Sequence, residues 1–471
     1  MKKFFMSVVL VVMTCVMPFH VVNASVMEQA VSQHFDTSNT SVSIRSVQTE
    51  KVLFDHRGDA PMRPASNLKL LTGAAALHTL GEDYRFSTML YIDGEIMGTT
   101  LAGDVYIKGG GDPTLLPSDI AEFAKVLKRQ GISKINGHIY GDDTFFSGST
   151  LSPGVEKQDE TYYYGARTSA LTLSPTDDFD ASTVVVTATG GTVGKAPTYS
   201  ILPNAAGMKV KNNAKTVAKG QKTTISIKRK YNTNEIVISG TIARGNSKKE
   251  WVSMHDPTMN TLSAVKKMWQ SAGITFAKDS TIKRATVPQT AQMISAKQSR
   301  TLKELYPIFM KLSNNSIADM LVKTMGQEMH GKGDLTTGLQ VVRDYGKTLG
   351  MDLTNWHITD GSGLGMNNKA TANAQTLLLT TLQPNKTFYA GLPVGGVKDR
   401  LIGGTLKNRF TQFPLQHNVV AKTGYITNTY ALSGYVTAKS GRTFAFSVMT
   451  SQPRSAIKNI DAFVKVIYIN Y

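Results

Sequence analysis

The stretch Pro64-Ala65-Ser66-Asn67-Leu68-Lys69-Leu70-Leu71 reads as the opening of a helix. Pro64 suits a first turn, where a missing N–H has no intrahelical partner to lose. Leu68, Leu71 and Ala75 supply an apolar face, and Gly81 is a natural stop after Leu80. Three residues of helix rotate the chain by roughly 300°, so Ser66 and Lys69 share one face and come within hydrogen-bonding reach. A hydroxyl beside an amine that can take its proton is the minimal unit of a serine nucleophile. The same Ser-x-x-Lys spacing recurs at Ser263/Lys266, Ser280/Lys283 and Ser455/Lys458. Spacing alone therefore selects none of the four, and the surrounding chain has to decide.

Just before this helix, Val42 to Phe54 alternates as a hairpin around the polar turn Thr49-Glu50-Lys51, too few strands to stand alone. From about Tyr84 short strands separated by Gly, Asp and Asn dominate, interrupted by helices at Ser118–Arg129 and Met259–Ser271. Between those helices the β-branched runs Thr183–Thr187, Thr223–Lys228 and Glu235–Ile242 predict a small all-β module. Helical spacing returns at Thr301–Met310, Ser316–Met329 and Thr337–Leu349. The chain ends in strands at Val419–Tyr425, Tyr430–Thr437 and Arg442–Thr450, then a helix near Ile457–Ile467. These last strands can partner the N-terminal hairpin, which predicts one domain split in sequence. The expected division is a signal at 1–24, a domain of 25–83 plus 286–471, an inserted α/β domain of 84–174 plus 250–285, and an all-β module at 175–249.

Composition bounds the chemistry. A chain of 471 residues with 41% hydrophobic and 18% charged residues is globular and long enough for two or three domains. Lys2 and Lys3 precede an apolar run from Phe4 to about Met17, and Val22-Asn23-Ala24 offers small residues for cleavage, which reads as an export signal. The single cysteine, Cys15, lies inside that signal, so disulfides, thiol nucleophiles and cysteine–zinc sites are excluded from the mature chain. An exported chain without disulfides fits a bacterial cell envelope, extracytoplasmic and periplasmic or wall-associated. Losing Lys2 and Lys3 and no acid lowers the formal charge from +18 to +16. Anionic wall polymers or a membrane surface are the expected counter-charges, whereas the scattered basic residues carry no nucleic-acid signature.

Two further patterns stand in the last third, each once: Ser313-Asn314-Asn315 and Lys422-Thr423-Gly424. The ordered set Ser-x-x-Lys, Ser-x-Asn, Lys-Thr-Gly is the motif series of β-lactamases and penicillin-binding proteins. With Gly109-Gly110-Gly111-Asp112-Pro113-Thr114, Ser169-Ala170-Leu171-Thr172, Asp360-Gly361-Ser362-Gly363-Leu364, Gly404 to Arg409 and Ala431 to Val436, the mature chain resembles the low-molecular-mass penicillin-binding proteins of the three-domain D-alanyl-D-alanine carboxypeptidase/endopeptidase family. The long separation of the first two motifs, 247 positions from Ser66 to Ser313, fits that family and argues against a β-lactamase.

The resemblance implies a β-lactamase/DD-peptidase-like α/β domain, an antiparallel sheet flanked by helices, split by a mixed α/β domain that carries the all-β module. It implies a Ser66 nucleophile and a neutral Lys69 as its base, its amine lowered by burial and by a second cation nearby, for which Lys422 is the candidate. Ser313 passes a proton to the leaving nitrogen, Asn315 holds the substrate's peptide group, and the backbones of Ser66 and Tyr425 form the oxyanion hole. The strand after Lys422, with Thr423 and Gly424, presents an edge on which an extended stem peptide pairs. Peptidoglycan stem peptides are the implied substrates, β-lactams the implied covalent inhibitors, and no cofactor or metal is required. One position departs from the pattern: the family's Thr or Ser after Lys-Thr-Gly is Tyr425 here, which shifts carboxylate recognition to Thr423 and Thr427 and predicts more endopeptidase character. Asp142 and Asp143 are candidates for an amine on the substrate, or else simply a turn before Phe145-Phe146. A β-lactamase and a non-catalytic penicillin sensor are the rival readings.

Overall fold

The computed structural model describes residues 24–471 apart from 205, 453 and 454. The export signal thus lies outside the described residues, save Ala24, where the helix Ala24–His34 begins. No described helix is long and apolar enough to cross a membrane.

A five-stranded antiparallel sheet carries the site. From its edge inward the order is Val419–Ile426, Thr429–Thr437, Thr443–Thr450, Thr40–Ser46, Val52–His56. The N-terminal hairpin is completed by the last strand of the chain, Thr40 opposite Thr450 and Ser46 opposite Phe444. Alternating side chains divide between two apolar layers. On one face Met449, Ala445 and Tyr435 pack with Leu70 and Leu71 of the helix after Ser66, Phe309, Leu321 and Leu378. On the other, Val42, Ile44, Phe446 and Val448 pack with Met27, Val31, Ile460 and Phe463 of the two terminal helices. The result is a helix–sheet–helix sandwich that fixes the helix after Ser66 against the sheet.

The segment that carries Ser66 enters as a 3-10 turn, Ala65–Leu68, continuing as the α-helix Lys69–Leu80. The helix Asn315–His330 follows the second motif and is capped by Asn314, whose Oδ1 accepts from Ile317 N at 2.9 Å. The same Asn314 amide donates to the carbonyls of Asp178 and Phe179, so one side chain both starts this helix and pins the inserted segment to it. Besides Ala24–His34, the helices Ala372–Leu382 and Lys386–Gly391 carry no signal in the sequence. Ala372–Leu382 packs on the central strands through a Ser43–Thr376 hydroxyl pair at 2.9 Å and the Tyr435 hydroxyl on Leu379 O at 2.6 Å. Its Gln375, Thr376 and Thr380 are buried along with its leucines, so it shows no clear polar–apolar alternation.

The inserted part is built on a seven-stranded sheet around the long hairpin Ser87–Met97 and Thr100–Gly109, with the helices Pro117–Arg129 and Pro257–Ser271. Two expected boundaries are corrected. The strand Gln292–Gln298 pairs antiparallel with Ser87–Met97, Gln298 opposite Ser87, so the inserted sheet runs to 298 and not 285. The boundary at 249 falls within the strand Ser247–Ser253, which is held in register by Thr183–Thr189. Val184, Val186, Ile236 and Ile238 of the all-β module also share one apolar cluster with Val105, Leu127 and Trp269 of the mixed sheet. Both inserted parts therefore close a common core.

Candidate active site

Lys69 is fully buried, and its Nζ lies 2.9 Å from Ser66 Oγ, 2.6 Å from Asn315 Oδ1 and 2.7 Å from the Ser362 carbonyl. A neutral amine has two hydrogens and one lone pair. With two carbonyl-type acceptors taking the hydrogens, the remaining tetrahedral direction faces the Ser66 hydroxyl. Burial pulls the Lys69 amine down from its usual range to about 7, against the opposing pull of the carboxylates of Asp319 and Asp360. In none of the other three Ser-x-x-Lys pairs does the described structure set the amine on the hydroxyl; Lys266 instead donates to Ser280 O, and Lys283 lies over the Tyr140 ring.

Lys422 is equally buried; its Nζ donates to Ser313 Oγ at 2.8 Å and to Thr423 O at 2.9 Å. Burial, followed by repulsion from Lys69, holds this amine well below the usual lysine range. Of the two expected causes, burial is the one that leads for Lys69, whereas Lys422, itself held low, does not supply the expected cation. Two adjacent buried amines favour holding at most one proton between them. Ser313 adopts φ 60° and Ala65 φ 47°, left-handed values that non-glycine residues seldom take. Both flank the reacting groups, and the Ser313 turn aims its hydroxyl at Lys422.

The strand Val419–Ile426 is an edge, and its outer side is closed only along its first half. Gly395 N donates to Val419 O, and Ala421 N to Pro393 O. Outward-facing groups recur at every second residue, so the N–H and C=O of Thr423 and the N–H of Tyr425 point to the open edge, the Thr423 carbonyl meeting Lys422. Gly424 has to be glycine, since a Cβ would stand 2.7 Å from Pro64 O and 3.2 Å from Ala65 Cβ. That close approach sets the strand edge against the Ser66 turn.

These groups open on a cavity of about 480 Å³ that Ser66, Ser313, Asn315, Thr423, Tyr425 and Thr427 all line. Lys69, Lys422 and Gly424 stand directly behind its wall. The inserted segment supplies the opposite wall through Glu156, Asp159, Tyr163 and Tyr164, and Asn315 Nδ2 donates to Tyr164 O at 2.8 Å. The Tyr425 ring is 65% exposed and leans on Tyr430, with centroids 5.0 Å apart.

Asp142 and Asp143 are not part of this cavity. Asp142 is fully buried and accepts from Thr144 and Val287 N, while Asp143 is paired with Arg284 at 2.7 Å. Glu156 and Asp159 are the acids that face the site, in a loop without any sequence pattern to announce them. Two further acids support the site without any sequence pattern that marks them. Asp319, one turn after Asn315, accepts from Gly361 N at 2.8 Å and from Ser152 Oγ, while Asp360 accepts from Gly363 N and Gly365 N, both at 2.6 Å. They shape the Asp360–Gly365 loop that offers the Ser362 carbonyl to Lys69. Burial, then Asp360, raises the Asp319 carboxyl to about 7.

An antiparallel sheet edge facing a Ser-x-x-Lys turn, with Ser-x-Asn and Lys-Thr-Gly closing the same cavity, defines the penicillin-binding class of serine peptidases. The chain belongs to the D-Ala-D-Ala carboxypeptidase 3 (S13) family, whose profile matches residues 22–468. It is 32% identical over 419 residues to a D-alanyl-D-alanine carboxypeptidase of Actinomadura sp. (strain R39), covering 88% of this chain and 77% of that one. It is 24% identical to the D-alanyl-D-alanine carboxypeptidase DacB of Haemophilus influenzae, covering 87% and 84%. The crystal structure of penicillin binding protein 4 (dacB) from Haemophilus influenzae superposes with a TM-score of 0.79 at 22% identity, over 95% of this chain and 98% of that one.

Proposed function

We propose that this chain carries out the D-Ala-D-Ala carboxypeptidase reaction of its family through an acyl-enzyme on Ser66, and that it also cuts D-alanyl cross-links. The observation that carries the reading is the contact of the buried Lys69 amine with Ser66 Oγ inside a cavity bordered by an open strand edge. Lys69 takes the Ser66 proton as Oγ attacks the carbonyl between two D-alanines. The N–H groups of Ser66 and Tyr425 receive the oxyanion. As the C–N bond breaks, the Ser313 hydroxyl gives its proton to the leaving nitrogen and recovers one through Lys422, its partner at 2.8 Å, and the proton that Lys69 took from Ser66 makes good that loss, so both amines are neutral again. Water then hydrolyses the ester and frees Ser66. An extended peptide pairing antiparallel on the edge runs opposite to the strand, so its acyl side lies toward Ile426 and its leaving group toward Thr423. The protein acts in the bacterial cell envelope, on stem peptides, with anionic wall polymers as counter-charge for its basic surface.

The test uses benzylpenicillin. One covalent adduct per chain is expected, mapping to the peptide that contains Ser66 and persisting far longer than a turnover, together with D-alanine release from a D-Ala-D-Ala peptide. An adduct on another serine would sink the assignment. Rapid turnover of penicillin would instead favour a β-lactamase, and an adduct without D-alanine release a sensor.

In that direction Thr427, which follows the last strand residue Ile426, stands on the acyl side of the cavity and Thr423 at the leaving-group end. Thr423, whose hydroxyl is 2.8 Å from that of Thr405, is the remaining hydroxyl at the leaving-group end of the strand. Tyr425→Thr adds a short hydroxyl to the edge strand. It is expected to raise carboxypeptidase over endopeptidase activity by about tenfold, the worth of one hydrogen bond to a charged group. Comparing wild type and variant on a pentapeptide and a cross-linked dimer reads this; an unchanged ratio removes Tyr425 as the cause of any endopeptidase bias.

A further inference from the structure

Beside the catalytic cavity lies a second one of about 500 Å³, and the two share the wall formed by Tyr163, Leu312 and Thr405. Thr405 is bonded to Thr423, so the shared wall stands at the leaving-group end of the strand edge. A single D-alanine leaving group ends near Thr423. A cross-linked substrate continues beyond the scissile nitrogen into a whole second stem peptide, and the second cavity is the space that lies there.

The charges in this cavity differ in how far they are committed. Arg400 closes on Asp178 through bonds of 2.6 and 2.5 Å, tying the loop after 399 to the inserted segment. The Lys311 amine donates to Leu392 O at 2.6 Å and Ile402 O at 3.1 Å. Burial and the neighbouring Asp178 push the Asp180 carboxyl up to about 7, which mutes its negative charge near neutral pH. Lys249, on the strand Ser247–Ser253, and Lys407 line the cavity and take part in no ion pair among the described residues. Trp251 adds an aromatic wall on the same strand. Glu250, the remaining acid of the lining, is paired with Lys248 at 3.5 Å, so the uncommitted charge of this cavity is positive, beside a reaction whose cross-linked substrates carry carboxylates on the leaving peptide.

We infer that the second cavity is the leaving-group subsite for cross-linked substrates, receiving the second stem peptide with its carboxylates toward Lys249 and Lys407. This rests on the reaction proposed above and adds the part of the substrate that the inserted domain recognises. It explains why the all-β module reaches the site at all: through Lys249 and Trp251 it supplies one side of the subsite. The carboxypeptidase reaction leaves this cavity unused.

The experiment pairs the double variant Lys249→Glu/Lys407→Glu with two substrates that share the same acyl peptide, a monomeric pentapeptide and a cross-linked dimer. The expected result is a kcat/KM about tenfold lower on the dimer, carried by KM, with D-alanine release from the monomer within about twofold of wild type. Lys249→Arg/Lys407→Arg should keep dimer cleavage near wild type, because only the charge is required. Equal losses on both substrates, or no loss on either, overturn the subsite. So does a wild-type protein that releases D-alanine from the monomer and leaves the dimer intact, an outcome that leaves the carboxypeptidase reading standing. A wild-type protein inactive on both substrates overturns the reaction itself.

Discussion

Ser66→Ala is expected to lower D-alanine release by about 10⁴- to 10⁶-fold and to abolish covalent labelling by penicillin, with the fold retained. The size follows from losing a nucleophile that acts as one unit with its base: without it the remaining donors still bind substrate but have no covalent route to offer. No nearby hydroxyl can stand in. Ser313 is committed to Lys422 at 2.8 Å, and Thr423 to Thr405. Structure should survive, because Lys69 keeps Asn315 Oδ1 and the Ser362 carbonyl as partners when Oγ is removed. Activity on a D-Ala-D-Ala peptide, intact mass after penicillin treatment and a thermal melt together check this. A variant that still acquires a penicillin adduct would show that the nucleophile lies elsewhere.

The sequence and the structure agree best where a local pattern decides the outcome. The helix after Ser66, the hairpin before it and the three C-terminal strands each follow from periodicity within a few residues, and Gly81 and Gly441 fall at their ends. The three motifs meet in one cavity because the N-terminal hairpin is sheet partner to the last strand, a pairing between residues some four hundred positions apart. Alternation suggested that pairing but did not specify its register. What could not be read are contacts whose meaning exists only after folding. Asp319 is one acid among many until the Asp360–Gly365 loop packs against it. The carbonyl of Tyr164 has no sequence identity at all, yet it holds Asn315. Gln292–Gln298 lies at an edge with weakly alternating exposure, so its membership in the inserted sheet was hidden. In the sequence Lys422 is marked only by its charge, whereas in the fold burial holds its amine below the lysine range.

Lys69→Met is expected to cost about 10³- to 10⁴-fold in both acylation by penicillin and D-alanine release, the upper range for loss of a positioned general base. Methionine is close to lysine in volume and suits a fully buried, partly apolar position, so the effect should be chemical and not a failure to fold. The wild-type pH profile supplies the independent check. With the Lys69 amine held at about 7, roughly half the molecules carry the neutral base at that pH, about a tenth at pH 6 and about nine-tenths at pH 8. Acylation should therefore rise with pH and level off above about 8, whereas an ordinary lysine would still be climbing at pH 10. Asp319 and Asp360 work against burial by favouring the charged amine. Asp319→Asn, which keeps the shape and the acceptor for Gly361 N, should therefore move the midpoint of the rise to lower pH. A midpoint that moves up, or a Lys69→Met protein whose residual rate keeps the same pH dependence, would remove Lys69 as the base.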